Sequence, residues 1–307
     1  MSLTVAKQLL TMLIICVLSF LFSKKNKCGD RESQFVSRLL LYFVNPCLIV
    51  NAFNLPFSAE KLHQLGIVIA ISFAVHLIFT VVVMVFLRDD IERLGVIFTN
   101  SGFIGIPLIR GVFGSTGVFY LMGYLAVFNI YLWTFGEYRM SHRFSIKKIV
   151  TNPNVIAVAA GIVLFCLPCQ LPPVIASPLG YISDLNTALS MILLGMLFAS
   201  YKNESGASYY GGVVRVSVMR LVVCSVVTVA FVVLLWTLFS SVPDMRHILF
   251  VVLIASLCPI GMSVSSFACI FDRDASYAGL MVTATSVGCV VTIPLFVKIA
   301  EILIPAL

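Results

Sequence analysis

Long apolar runs follow one another along this chain with only short polar breaks between them, which leaves the backbone few ways to fold. Inside hydrocarbon every N–H and C=O must find a partner within the protein, so runs of this kind form helices. A span needs roughly 20 mostly apolar residues, and about ten segments qualify. They run roughly from Val5 to Phe22, Phe35 to Phe53, Leu65 to Leu87, Ile91 to Phe113 and Val118 to Phe135, and then from Val155 to Cys169, Val174 to Phe198, Val213 to Phe239, His247 to Phe271 and Tyr277 to Ile304. With 60% hydrophobic and 11% charged residues, the chain has too little polar surface for a water-soluble domain. The expected fold class is an all-α integral membrane protein in a lipid bilayer. The first run, with Lys7 ahead of its centre and no small-residue cleavage pattern, is expected to be a retained span.

Two of these runs are interrupted. Thr99-Asn100-Ser101-Gly102-Phe103-Ile104-Gly105-Ile106-Pro107-Leu108 places an amide, two glycines and a proline where a lipid-spanning helix should avoid them. Proline removes a backbone donor and glycine releases the chain from helical geometry. Peptide groups freed in this way are tolerated only where they are buried in protein or line a wet cavity. Leu257-Cys258-Pro259-Ile260-Gly261-Met262-Ser263 repeats the theme in the second half, and paired interrupted spans point to a transporter site at the bilayer midplane.

Lysine and arginine give the expected orientation, because cytoplasmic loops retain positive charge. Lys24, Lys25, Lys27, Arg31, Arg38, Arg88, Arg93, Arg139, Arg143, Lys147, Lys148, Lys202, Arg215, Arg220 and Arg273 fall on one side; Lys7, Lys61, Arg110, Arg246 and Lys298 fall on the other. Both termini are then external and the basic connector 139–148 is cytoplasmic. Five spans per half is an odd number, so residues 1–138 and 152–307 form two inverted five-helix repeats joined by a connector at 139–151. Broken helices 4 and 9 approach the membrane centre from opposite sides and cross there. Each break exposes a helix N-terminus, which suits a carboxylate or another anion. The candidate substrate residues are Asn100, Ser101, Gly105 and Pro107 at one break and Pro259, Gly261 and Ser263 at the other.

Other polar residues within spans are costly to bury and face protein or water. Asn45-Pro46 kinks the second span, and Asn129 lies one turn from Trp133 on a face that borders the first break, so Asn45 and Asn129 join the candidate site. Thr283, Thr285 and Ser286 occupy the matching region of the last span. Asp184, beside Asn186 and Thr187, and His76 are the candidates for coupling to a proton or cation. Most cysteines lie inside apolar runs and act as small hydrophobes, and Cys166-Leu-Pro-Cys169 has redox-type spacing without the context of a redox fold. Basic residues never form a patch with interleaved aromatics, so no nucleic-acid partner is expected; neither is a metal or a cofactor.

At these residues the chain resembles the auxin efflux carrier family, the bacterial and plant transporters that include the plant PIN-FORMED proteins. The resemblance runs through Asn45-Pro46; Asn100 with Gly105-Ile106-Pro107-Leu108; Trp133 with Glu137-Tyr138-Arg139; Asn152-Pro153-Asn154-Val155-Ile156-Ala157 with Gly161; Pro259-x-Gly261 with Phe267-Ala268; and Thr292-Ile293-Pro294-Leu295. It implies a scaffold of helices 1, 2, 6 and 7, often the seat of a homodimer. Helices 3–5 and 8–10 would form a transport domain moving as an elevator, and the substrates would be organic anions. The short 139–148 connector resembles that of bacterial members, and the Asp and Lys of the plant third helix have no counterpart in Gly66 to Phe73.

An enzyme is not expected: no span carries paired catalytic acids or His-Glu-x-x-His, and Asp89-Asp90 reads as a solvated cytoplasmic end. The competing class is a transporter-like membrane sensor that binds a small ligand without translocating it.

Overall fold

The computed structural model describes residues 1–142, 146–167, 170–200, 208–271 and 273–305. Their secondary structure is helical, apart from one isolated bridge between Thr99 and Ile260. Among the described residues, seven helical stretches are long and apolar enough to cross a membrane, including Ser2–Asn26, Ala59–Phe86 and Ala275–Leu303. This is a multi-pass membrane protein.

In chain order the helices are α1 (Ser2–Asn26), α2 (30–53), α3 (Ala59–Phe86), α4 (Asp90–Ile97), α5 (101–113), α6 (115–141), α7 (Ile146–Val150), α8 (Pro153–Cys166), α9 (Pro173–Ser200), α10 (208–239), α11 (Met245–Leu257), α12 (Met262–Ile270) and α13 (Ala275–Leu303). The two runs expected to be interrupted, Ile91 to Phe113 and His247 to Phe271, each divide into two helices, α4 and α5 or α11 and α12, around a non-helical break. Pro153–Cys166 is also shorter than a full span. Between α5 and α6, Gly114 takes φ 62° and ψ −150°, a combination open essentially to glycine alone.

Polar side chains set the helix starts. Ser58 accepts from the Lys61 N–H, Asp89 from Glu92, Asn152 from Asn154 and Val155, and Asp274 from Tyr277; each satisfies a donor that the first turn leaves free. The Asp89-Asp90 pair sits at an exposed helix start and has structural partners as well. Asp89 caps α4, and Asp90 pairs with Arg93 at 3.1 Å and with Arg139. Wide π-helical turns precede Pro46 (Leu40–Val44) and Pro107 (Ser101–Gly105). In an α-helix each proline ring would meet the carbonyl four residues back, and widening the turn moves that carbonyl aside while keeping the helix.

Large apolar side chains point outward, such as Leu18, Phe22, Val81 and Val174, as expected of a surface solvated by lipid. One helix, α11, has no outer face: from Ile248 to Leu257 every residue is buried. It packs against α3, α6, α10 and α13. A second set is made by α1, α2, α8 and α9. Here α1 lies so close to α9 that a Cβ on Gly195 would sit 2.3 Å from the Cys16 carbonyl oxygen, and Ser19 donates to the Ile192 carbonyl at 2.8 Å. Small residues at such crossings let helices gain dispersion contact and polar bonds that lipid cannot supply. Asn186 donates to Asn45 at 2.8 Å in the same set, with both side chains buried.

Pro168 and Cys169 of the Cys-x-x-Cys stretch, and Arg143 and Lys202 of the charge pattern, lie outside the described residues.

Candidate functional site

The two breaks meet. The Asn100 N–H donates to the Pro259 carbonyl at 2.8 Å, and the Gly261 N–H donates to the Phe98 carbonyl at 2.8 Å. Between these bonds, the Ile260 N–H donates to Thr285 Oγ1 at 3.2 Å. Each interruption thus supplies partners to the other, as the cost of unpaired peptide groups in a membrane interior demands. Proline and glycine have distinct tasks here. Pro259 spends no N–H, while Gly261 admits the partner strand: a Cβ there would lie 2.8 Å from the Thr99 carbonyl oxygen. At Gly105 a Cβ would meet the Ser101 Cβ at 3.2 Å and the Cys258 Sγ at 3.4 Å.

Below the crossing, Arg220 holds the ends of the incoming helices. Its Nη1 donates to the Val96 carbonyl at 2.9 Å, its Nε donates to the Cys258 carbonyl at 3.0 Å, and its Nη2 donates to the Ser256 carbonyl. Its guanidinium carbon lies 5.1 Å from the centre of the Phe79 ring, and the side chain is 1% exposed. Arg220 stands on the π-helical turn Met219–Val223 within α10. This corrects its place among the cytoplasmic loop charges: it is a core residue at the junction of the breaks.

Beyond the crossing lies a cavity of about 510 Å³. Asn100, Gly102 and Phe103 border it from the start of α5, and Gly261, Met262 and Ser263 border it from the start of α12. Asn45 of α2 and Asn129 and Trp133 of α6 close it, and Thr151, Asn152 and Asn154 line the end next to the connector. Phe128, Leu125 and Ile49 supply apolar wall, and no lining side chain among the described residues is charged. Two helix N-termini therefore carry its positive potential, each equivalent to roughly half an elementary charge. Asn100 Nδ2, Ser101 Oγ and Ser263 Oγ are buried with no hydrogen-bond partner among the described residues. Orphaned polar atoms of this kind are expensive, and in a native fold they call for an explanation.

Of the residues singled out in the sequence, Asn45, Asn100, Asn129, Gly261 and Ser263 share this cavity. Ser101, Gly105, Pro107 and Pro259 shape the breaks without lining it. Asn129 spends one amide donor on the Leu125 carbonyl at 2.8 Å. Asp184 lies apart from the cavity, 63% exposed and ion-paired to Arg110 at 2.5 Å. His76 is also apart: its Nδ1 donates to the Ser72 carbonyl at 2.7 Å, and its ring sits among Phe98, Tyr124, Phe128 and Tyr131. Thr283 and Thr285 bond carbonyls of their own helix, and Thr285 adds the contact to Ile260. Sequence reasoning missed Arg220, although its position inside the apolar run from Val213 to Phe239 was a signal. It also missed Asn152 and Asn154 as cavity residues; nothing short of the fold brings them beside Asn100.

A broken-helix pair beside a largely apolar cavity with a few amide and hydroxyl groups, in a multi-pass membrane protein, is the setting in which the comparison with known families is read. Residues 4–143 match the family model described as membrane transport protein, the domain of the auxin efflux carriers and PIN proteins, and that stretch is similar to this family. A comparison with curated proteins finds no match.

Proposed function

We propose that the protein is a secondary transporter of a small organic anion, a carboxylate, bound where the two broken helices cross. The observation that carries this reading is the pair of helix N-termini, joined by reciprocal backbone bonds, that face a cavity with no charged side chain among the described residues that line it. Two half-charges sum to about +1, which matches a monoanionic group without a lysine or arginine in the pocket. The volume lies within the range of small-molecule sites, and the mixed amide and aromatic lining suits a ligand with one anionic end and an apolar body.

In this reading residues 1–138 and 152–307 are inverted repeats, giving ten membrane passes with α4–α5 and α11–α12 as the broken fourth and ninth. Both termini lie outside the cell membrane. The scaffold is α1, α2, α8 and α9, which pack on one another, and two copies join through it as a homodimer. The remaining helices carry the substrate as an elevator. Support comes from the ties between the sets: Arg110 of α5 pairs with Asp184 of α9, and Gln8 of α1 donates to the Pro107 carbonyl at 3.4 Å. Both ties lie away from the connector, whereas the cavity is bordered by Thr151 and Asn152, as in a carrier open toward the connector side.

The test begins with thermal unfolding of the purified protein against monocarboxylates, dicarboxylates and indole acids, since a ligand selective for the folded state raises apparent stability. The ligand found is then offered, radiolabelled, to proteoliposomes. Time-dependent uptake is expected. Saturable binding with no uptake would identify a sensor instead.

A further inference from the structure

Arg220 is buried inside the helix packing, and among the described residues no carboxylate is paired with it. A bare buried cation is costly, so its charge must be met by other means. Val96 lies in the last turn of α4, Ser256 lies in the last turn of α11, and Cys258 follows directly after it. The carbonyls they contribute are therefore the unsatisfied acceptors of two helix C-termini, each with roughly half a negative charge. Together they balance one guanidinium. The charge pattern across the crossing is then complete: Arg220 neutralises the two C-terminal ends and leaves the two N-terminal ends, on the cavity side, positive.

Unwound carbonyls and half-helix C-termini are also the groups with which discontinuous transporter helices coordinate sodium. Here all three point at nitrogen atoms of one side chain. We propose that this node is a monovalent-cation site occupied by the protein's own arginine. The two broken helices are held together by a tethered cation, so no dissociable sodium ion is needed to assemble them. Phe79 closes the site from α3, placing a ring face against the guanidinium where a small hydrated ion would have kept water. The inference concerns only the node, and it stands whichever ligand the cavity binds.

The experiment uses the cations themselves as probes. Thermal unfolding of the purified full chain is followed in sodium, potassium and choline chloride at equal ionic strength. The wild type should unfold at one temperature in all three. Arg220→Ala should unfold several degrees lower in choline, and should recover saturably on addition of sodium or of methylguanidinium, because either can enter the carbonyl node. Wild-type protein whose midpoint rises saturably with sodium would overturn the proposal, as would folded Arg220→Ala that ignores every cation. Should Arg220→Ala not be recoverable as folded protein, Arg220→Lys supplies the second variant. Its ammonium keeps the tethered charge, so it should fold and remain indifferent to sodium; a lysine variant stabilised saturably by sodium would count against the assignment.

Discussion

At Gly261 the structure leaves room for a hydrogen atom and nothing larger. Its φ of −72° is ordinary, so the glycine is required by contact alone: an added methyl would press on the carbonyl oxygens of Thr99 and Phe98, both backbone atoms that cannot turn away. Gly261→Ala should therefore lower stability by about 1–3 kcal/mol, the usual cost of overpacking, and should loosen the bond from Gly261 to Phe98. A clear fall in thermal midpoint, with weaker carboxylate binding, is the expected result; an unchanged midpoint would mean that the breaks do not pair as described. The glycines, the prolines and Asn100 were legible in the sequence because each contradicts the apolar pattern around it. Arg220 contradicts that pattern just as sharply. It was misread because a positive charge near an expected helix end also fits a topology signal, and only the three carbonyls around it separate the two meanings.

Among the elements, the long helices followed from apolar length, but their starts did not: the caps Ser58, Asp89, Asn152 and Asp274 begin them ahead of the apolar runs, at Ala59 rather than Leu65 in α3. Nor did the π-helical turns, because the residue that causes them lies downstream: Pro46 and Pro107 displace carbonyls in the preceding turn, and whether the helix bends, breaks or widens is decided by its neighbours. The reversal between α5 and α6 was placed near Phe113 to Val118, and the structure assigns it to Gly114. No atom lies within 4 Å of a Cβ built there, so substitution meets backbone strain alone. Gly114→Ala should cost about 1–3 kcal/mol. Chemical or thermal denaturation would show the loss, and an alanine variant as stable as the wild type would remove the reversal from that residue.

For the whole molecule, the division into packed sets became visible only in three dimensions, since nothing in the order of spans shows that α1 meets α9 or that α11 is enclosed. Asp184 illustrates the gain. In the sequence it was a lone carboxylate within a span and a candidate for coupling; in the structure it is half of an exposed pair with Arg110 that bridges the two sets. Such a pair is worth about 0.2–1 kcal/mol, enough to shift the balance between two carrier states about five-fold and no more. Asp184→Arg should weaken the closure on that side, slowing alkylation of a thiol placed at Ser37 on the cavity in protein stripped of native cysteines. Adding Arg110→Asp should restore the rate. If the single and double variants label alike, the pair does not hold the state described.

The central claim is that the crossing of the broken helices holds the anion. Charge-assisted hydrogen bonds contribute about 1.5–3 kcal/mol each, so loss of the Asn100 amide should weaken binding by roughly ten-fold to a hundred-fold. The direct measurement is the dissociation constant of the carboxylate identified by thermal shift, titrated against folded wild type, Asn100→Ala and Gly105→Leu. The account predicts that weakening in Asn100→Ala and loss of binding in Gly105→Leu, whose side chain fills the space against Ser101 and Cys258. Wild-type affinity in both folded variants would contradict it.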